Sequence, residues 1–393
     1  MVGKSEKCRL RVFEAFAGIG AQITALKRLG VNYEVVGISD WFIDAIICYD
    51  ALHNDGAVIE LPDRDKMIEE LSKFEFSRDS VKPIKDLGHL DFETLGNLYR
   101  ANKRSKNLGS ITKINAADMP ECDLLVYSFP CQDLSTGGKN YGMKKDSGTR
   151  SSLLWEIERI LNQLKELGRL PQYLLLENVK TIKAETNKKD LDLWLSFLKS
   201  IGYKNEECMI LNAADFGVPQ DRERAFIFSH LGNDPLDISK HIEMNKKPRK
   251  YVITDFIKSD YTKEEYKNEA DIAQLNNTPS REIMWEINGK EINDDLIVRT
   301  ITCNLDRTHT SALFRYNGPK GETYRRLTIR EAFLLMGFTE DEYKKTLHLG
   351  YSYRKMNKLI GNSIVVNVLT AIFDAIIKTD NKRWVKLKRV EEN

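Results

Sequence analysis

A single cysteine follows an apolar run in the stretch "DLLVYSFPCQDLS", residues 123–135. The chain turns behind Pro130 into Gln, Asp and Ser, directly after residues that are typical of a buried strand. A thiol in this place is either a small buried apolar group or a nucleophile that the strand presents, because deprotonated sulfur is strongly nucleophilic. Cys131 is therefore the first candidate for covalent chemistry, with an inert structural thiol as the alternative.

A glycine turn lies at "FEAFAGIGAQ", residues 13–22, between a predicted strand and a predicted helix. Gly18 and Gly20 let the backbone turn tightly and approach a ligand. Asp40 ends the second predicted strand, where a carboxylate can accept hydrogen bonds from ribose hydroxyls, and Trp41 could stack on an adenine. The pattern predicts an adenosine-containing cofactor without choosing between NAD and S-adenosylmethionine; the alternative is a tight turn with a capping aspartate.

The composition excludes several other classes of protein. None of the six cysteines forms a C-x-x-C pair, so we expect neither a zinc knuckle nor a thioredoxin-type site, and no metal. No stretch approaches the ~20 apolar residues of a membrane helix, and the N-terminus has no apolar signal core. A cytoplasmic protein is expected. The net charge of +2 does not indicate a nucleic-acid binder, although a balanced total can hide a basic cleft.

Strand and helix patterns alternate over the first two thirds of the chain. This alternation predicts an α/β fold with a doubly wound, mainly parallel, Rossmann-like sheet. A charged stretch at about 55–110 looks like an insertion with one or two polar helices. We expect a catalytic and cofactor-binding domain at 1–231, a smaller irregular domain at 232–325, and a return segment with a C-terminal helix at 326–393.

Six short motifs in order resemble those of the cytosine-C5 DNA methyltransferase family, of the bacterial restriction-modification type, over almost the whole chain. The motifs are F-x-G-x-G at 16–20, Pro-Cys-Gln at 130–132, Glu-Asn-Val at 177–179, Gln-x-Arg-x-Arg at 220–224, "RRLTIREAFLLMGF" at 325–338 and Gly-Asn-Ser at 361–363. The resemblance selects S-adenosylmethionine over NAD and implies methyl transfer to carbon 5 of a flipped-out cytosine in a specific duplex sequence.

The resemblance also implies roles for four residues. Cys131 would add as a thiolate to carbon 6, which makes carbon 5 nucleophilic. Glu177 would hydrogen-bond N3 and the amino group of the cytosine, and so stabilise the charge that this addition creates. Arg224 would reach the cytosine O2, and Arg222 would hold the cysteine loop or a phosphate.

Further residues are carried over to the cofactor and to DNA. Those expected at the cofactor are Phe16, Ala17, Gly18, Ile19, Gly20, Asp40, Trp41, Ser110, Ile111, Pro130, Leu153, Asn362, Ser363 and Ile364. Those expected at DNA are Ser135, Lys139, Arg299, Thr302, Asn304 and Arg307. The first two belong to a lid after Cys131, and the last four to the stretch "VRTITCNLDRTHTS" in the target-recognition domain, whose residue types read base edges.

One cofactor position departs from the family pattern. The family commonly has an aspartate near the adenine amino group, where this chain has Ser110. A hydroxyl accepts that hydrogen bond more weakly than a carboxylate. Either Ser110 serves, or a nearby residue such as Asp118 does, or affinity for the cofactor is reduced.

Two other functions compete with DNA methylation. A transfer-RNA cytosine-C5 methyltransferase could use the same scaffold, and a catalytically inactive DNA-binding regulator could keep it. The long recognition region argues against the first, and Cys131 with Glu177 argues against the second. The expected partner is duplex DNA, bound by a monomer in the bacterial nucleoid, with no membrane; a cognate restriction endonuclease would act separately.

Overall fold

The computed structural model describes residues 9–54, 58–130, 134, 143–145, 150–205, 207–232, 236–303 and 311–380. Seven strands in this part of the chain form one sheet. They are β1 (Leu10–Ala15), β2 (Tyr33–Ser39), β3 (Leu124–Tyr127), β4 (Tyr173–Val179), β5 (Tyr203–Asn205), β6 (Met209–Asn212) and β8 (Glu223–Leu231).

The sheet has the strand order β2-β1-β3-β4-β8-β5, and β6 pairs with β8 beside this path. β1 pairs in parallel with β2 and β3, and β3 pairs in parallel with β4. β8 is antiparallel to β4 and to β5. The predicted doubly wound, mainly parallel sheet is therefore confirmed. The carboxyl ends of β1, β2, β3 and β4 lie at one edge, which is where such sheets bind ligands.

The helices of the first part of the chain alternate with these strands. They are α1 (Ala21–Arg28), α2 (Ile43–His53), α3 (Arg64–Leu71), α4 (Phe92–Arg104), α5 (Leu154–Glu166), α6 (Glu185–Ser200) and α7 (Ser239–Met244). Two of them, α3 and α4, form in the charged stretch that follows residue 55. Strands β3 and β4 are apolar on both faces and pack in one core with the buried side chains of α5 and α6, as expected for parallel strands covered by helices.

Short helices and two-stranded pairings make up most of the later part of the chain. The helices are α8 (Glu264–Ala273), α9 (Pro279–Asn288), α10 (Ile329–Leu335), α11 (Glu340–Lys345), α12 (Tyr353–Gly361) and α13 (Val366–Thr379). The strands are β7 (Gln220–Asp221), which pairs in parallel with β9 (Val298–Arg299), and the antiparallel hairpin of β10 (Phe314–Gly318) and β11 (Gly321–Arg325).

The chain divides into two compact units whose borders differ from the predicted domains. The first unit comprises 1–211, 223–244 and 372–393, and the second comprises 212–222 and 245–371. Of the predicted return segment at 326–393, residues 326–371 fall in the second compact unit and 372–393 in the first; the division into functional domains stays a prediction. Within the second unit, the Arg325 guanidinium at the end of β11 contacts the Glu331 carboxylate in α10 at 2.9 Å, in a fully buried ion pair.

One stretch meets the length and composition of a membrane span, contrary to the expectation from sequence. Residues Tyr353–Thr379 are long and apolar enough to cross a bilayer, but 72% of the most apolar window is buried inside the protein. A buried core helix of a soluble protein passes the same test, so the stretch is weak evidence for a membrane.

Candidate active site

Glu177 lies near the carboxyl end of β4 and is almost fully buried, with 6% of its surface exposed. The Ser128 hydroxyl, just after β3, donates a hydrogen bond to Oε2 of this carboxylate. Nε of Arg224 lies 3.4 Å from Oε1. The antiparallel pairing of β4 with β8 places Arg224 opposite Val179, which explains how a residue 47 positions along the chain reaches this carboxylate. A buried carboxylate with one hydroxyl and one guanidinium is suited to hold a polar ring.

Three side-chain donors hold the backbone on both sides of the cysteine turn. Asn178 donates to the Phe129 carbonyl at 3.0 Å and Ser151 donates to the Pro130 carbonyl at 2.9 Å. Thr181 donates to the Leu134 carbonyl at 2.6 Å. Cys131 itself lies outside the described residues, as do Ser135 and Lys139 of the expected lid.

The glycine turn after β1 adopts a conformation that favours glycine. Phe16, Gly18 and Gly20 have φ values of 58°, 58° and 73°. A Cβ on Gly20 would lie 2.4 Å from Nε2 of His53 and 2.7 Å from the Tyr49 ring, so no larger residue fits there. A Cβ on Gly18 would meet nothing within 4 Å. The turn is thus closed on its inner side and open at Gly18, as required if a ligand approaches the backbone.

Asp40 follows β2 and holds this turn. Its carboxylate accepts hydrogen bonds from the backbone N–H of Gly18 at 2.9 Å and of Phe42 at 2.8 Å. Removal from bulk water raises the pKa of Asp40 to about 6, while these amide donors act in the opposite direction. A carboxylate has about four lone pairs, so the amide contacts from Gly18, Phe42 and Trp41 leave room for the expected ribose contact.

The other cofactor residues expected in the first unit include Trp41, Ser110, Ile111 and Leu153. Trp41 is partly exposed beside Asp40, and Ser110 is 6% exposed with its hydroxyl 2.9 Å from that of Thr112. Ile111 and Leu153 pack against the main apolar core. Ser110 is therefore already in a hydroxyl pair, which can orient its lone pairs.

The remaining expected residues belong to the second unit. Asn362 caps α12, and Ser363 and Ile364 follow it as buried residues. Arg222 is 3% exposed, and its guanidinium donates to the carbonyls of Ile301 at 2.6 Å, of Gly361 at 3.1 Å and of Ser363 at 2.8 Å. These three acceptors are backbone carbonyls of the same unit as Arg222.

Two of the expected DNA residues are described. Arg299 is exposed on β9 and donates to Oδ1 of Asn288 at 2.9 Å. Thr302 is partly exposed, and its carbonyl accepts from Asn357 at 3.1 Å. Asn304 and Arg307 lie outside the described residues.

Comparison with known proteins identifies the family. The model of the C-5 cytosine-specific DNA methylase family matches residues 93–378. The chain belongs to this family. It is 33% identical to the orphan methyltransferase M.SssI of Spiroplasma monobiae, over 94% of this chain and 97% of that protein. It is 34% identical to the type II methyltransferase M2.ScrFI of Lactococcus lactis subsp. cremoris, over 94% of this chain and 99% of that protein.

Solved structures of similar fold support the same assignment of architecture. The S. pombe Dnmt2 methyltransferase aligns with a TM-score of 0.63 over 94% of this chain and 99% of that chain, at 18% identity. The expectation that this C-5 cytosine-specific DNA methylase is an enzyme of the restriction-modification type is confirmed by the family and its curated members.

Sequence reasoning missed several residues that the methylase fold brings to this edge of the sheet. Ser128, Ser151 and Thr181 contact the proposed site, although none was singled out. Their positions directly beside the motifs were the only available signal. Asn107 was missed as well, because a polar residue in a charged insertion carries no pattern.

Proposed function

We propose that the protein methylates carbon 5 of a cytosine flipped out of duplex DNA, through a covalent bond between Cys131 Sγ and carbon 6. Membership of the methylase family supports cytosine-C5 methylation. The observation that carries the finer proposal is Glu177, held between Ser128 and Arg224 beside the strand that leads to Cys131.

The cofactor proposed for the reaction is S-adenosylmethionine, which supplies an electrophilic methyl group when bound. The residues present fit its adenosyl part: Gly18 is open to approach, Asp40 has lone pairs left for ribose hydroxyls, and Trp41 offers an aromatic face. Ser110 would accept from the adenine amino group while its own proton goes to Thr112.

The chain's own residues carry the remaining steps. The Cys131 thiolate adds to carbon 6 of the cytosine, and the electron pair of the C5–C6 double bond becomes available at carbon 5. In its protonated form, Glu177 donates a hydrogen bond at N3 and so stabilises the charge that develops on the ring, while Arg224 binds O2. Methyl transfer forms the bond to carbon 5 as the S–CH3 bond breaks, and S-adenosylhomocysteine is the leaving group. A base then removes the proton from carbon 5, the C5–C6 double bond reforms, and the thiolate leaves.

A covalent trap tests this proposal directly. Duplex DNA with 5-fluorocytosine lacks the proton that the last step removes, so wild-type protein with S-adenosylmethionine should form an adduct that survives denaturing electrophoresis. Cys131→Ser should form none. Cys208→Ser is the matched control, since Cys208 is a partly exposed free thiol of the same unit, and its adduct should persist. An adduct in Cys131→Ser, or its loss in Cys208→Ser alone, would contradict the assignment.

The choice of nucleic acid needs a separate measurement. Transfer of labelled methyl groups to duplex DNA and to transfer RNA at equal cytosine content should favour DNA strongly. Bisulfite sequencing of the methylated DNA then identifies the target sequence. Transfer to transfer RNA alone would replace the proposal with the RNA alternative.

A further inference from the structure

The side chain of Asn107 uses all of its hydrogen-bonding capacity in one buried place. It is 2% exposed and follows α4. Its Oδ1 accepts from the backbone N–H of Asp40 at 2.9 Å and of Gly109 at 3.2 Å. Its Nδ2 donates to the Asp40 carbonyl at 3.0 Å and to Oδ1 of Asn102 at 2.9 Å. A primary amide has two donors and two acceptor lone pairs, so every one of them is occupied.

These bonds extend the sheet beyond its edge strand. β2 is an edge strand, and its Ile38 pairs in parallel with Asn107. The Leu108 N–H donates to the Ile38 carbonyl at 2.9 Å. Two residues after Ile38, just past the end of β2, the Asn107 amide bonds to both the N–H and the carbonyl of Asp40, as a neighbouring backbone would. The side chain therefore completes pairing that the turn at Gly109 interrupts.

The segments joined in this way are the two proposed walls of the adenosine site. Asp40 and Trp41 come from the end of β2, and Gly109 and Ser110 come from the end of the insertion. The Ser39 hydroxyl donates to the Gly109 carbonyl at 2.8 Å and is a second tie between the walls. Among the described residues, Asn107 bonds to backbone groups of both walls.

We propose that Asn107 is a positioning residue for the adenosine half of S-adenosylmethionine, acting through Asp40 and Gly109 without touching the cofactor. This inference rests on the cofactor named in the proposed function. It assigns a role to the end of the insertion: residues 106–109 bring Ser110 to a fixed place opposite Asp40. The site is assembled from two segments of the chain, and Asp40 and Asn107 are 67 residues apart in the sequence. The distance in space between these two segments should therefore govern the affinity for the nucleoside.

The test is the nearly isosteric Asn107→Asp, which replaces the Nδ2 donor with an oxygen facing the Asp40 carbonyl and the Asn102 amide oxygen. The two buried acceptors would then lack the hydrogen bonds that Nδ2 of Asn107 donates. The affinity of the protein for the nucleoside should therefore fall by about 10- to 100-fold. Binding is measured by calorimetry for S-adenosylmethionine and for methylthioadenosine, which retains only the adenosine half. Both ligands should lose affinity by the same factor.

The matched control is Asn205→Asp at the opposite edge of the sheet. Asn205 also donates to a backbone carbonyl, that of Leu195 at 3.2 Å, and accepts from Ser229 at 2.7 Å. This variant should melt at a lower temperature and bind both ligands as wild type does. Should Asn107→Asp lose its cooperative melting, Asn107→Ser, which removes the amide without adding a charge, is measured in the same way.

Unchanged affinity in a folded Asn107 variant would overturn the inference, as would a loss confined to S-adenosylmethionine. A wild-type protein that binds neither ligand would instead refute the proposed cofactor, so the two failures are distinguishable.

Discussion

Two glutamates lie near the carboxyl ends of strands in the same sheet, and their surroundings differ. Glu14 is on β1 and is fully buried, while Glu177 is on β4 and is 6% exposed. One oxygen of Glu14 accepts from the Tyr49 hydroxyl at 2.6 Å, and its other oxygen has no hydrogen-bond partner among the described residues. Glu177 has a hydroxyl on one oxygen and a guanidinium near the other.

The comparison teaches that burial alone does not make a carboxyl group useful for catalysis. Desolvation raises the pKa of Glu14 to about 8, so this side chain is mostly neutral at pH 7 and sealed in the core. Glu177 has two polar partners, the Ser128 hydroxyl and the Arg224 guanidinium, whereas the second oxygen of Glu14 has none among the described residues. The neighbours on adjacent strands, rather than the strand position, separate the two.

The largest expected effect comes from removing the Glu177 carboxyl. Glu177→Gln keeps the shape but cannot transfer a proton to the ring, so we expect kcat to fall by up to about 10⁴-fold. Glu14→Gln, the matched control, should keep near wild-type kcat at pH 7 because it replaces a mostly neutral acid by a neutral amide. Both are measured by methyl transfer to duplex DNA at saturating cofactor. Full activity of Glu177→Gln would remove the contrast between the two glutamates.

Glu14 should show its burial in the pH dependence of stability. The folded protein holds the Glu14 proton up to about pH 8, whereas the unfolded chain releases it near 4.5. Its contribution to stability is therefore fully present below pH 4.5 and is lost as the pH rises to 8. In urea titrations, the free energy of unfolding of Glu14→Gln relative to wild type should rise by on the order of 4 kcal/mol over this range. A difference that does not vary with pH would contradict the raised pKa.

A substitution at Gly20 should affect Glu14 indirectly, because a larger side chain there would contact Tyr49, which donates a hydrogen bond to Glu14. Gly20→Ala would place a methyl group against His53 and Tyr49 and keep a left-handed φ, so we expect destabilisation of about 2–4 kcal/mol. Gly18→Ala has the same backbone penalty but open space, and should cost about 1–2 kcal/mol. Thermal melts of the pair measure the difference. Equal melting temperatures would mean that the side chains of His53 and Tyr49 move aside to accommodate the methyl group.

The smallest expected effect tests the hydroxyl on Glu177. Ser128→Ala leaves Arg224 in place and removes one hydrogen bond, so we expect kcat to fall about tenfold, which corresponds to ~1.4 kcal/mol. Ser229→Ala is the control, because Ser229 is a buried serine of β8 that bonds Asn205 instead. An unchanged kcat and pH profile in Ser128→Ala would show that Arg224 alone positions Glu177.

Much of the fold was accessible from local pattern. The alternation of apolar runs with amphipathic helices predicted strands β1 to β4 and their succession along the chain, because each element must bury a stripe of its own surface. Glycines and Asp40 marked the ends of strands for the same local reason. The short strand β5 was missed, since Tyr203 reads as the end of the preceding helix.

Contacts between distant segments could not be predicted from the sequence. The approach of Arg224 to Glu177 depends on the antiparallel register of β4 with β8. The bonds of Asn107 to Asp40 join two walls that no periodicity connects.

The sequence by itself determined the chemical groups, their order along the chain and the family to which the chain belongs. Residue type and short spacing are local properties, and motifs of the family are written in them. Only the tertiary structure decided which groups face each other, because strand register and burial set distances that chain order leaves open. For that reason Glu177 and Glu14, alike in the sequence as acids within apolar strands, have different neighbours in the fold.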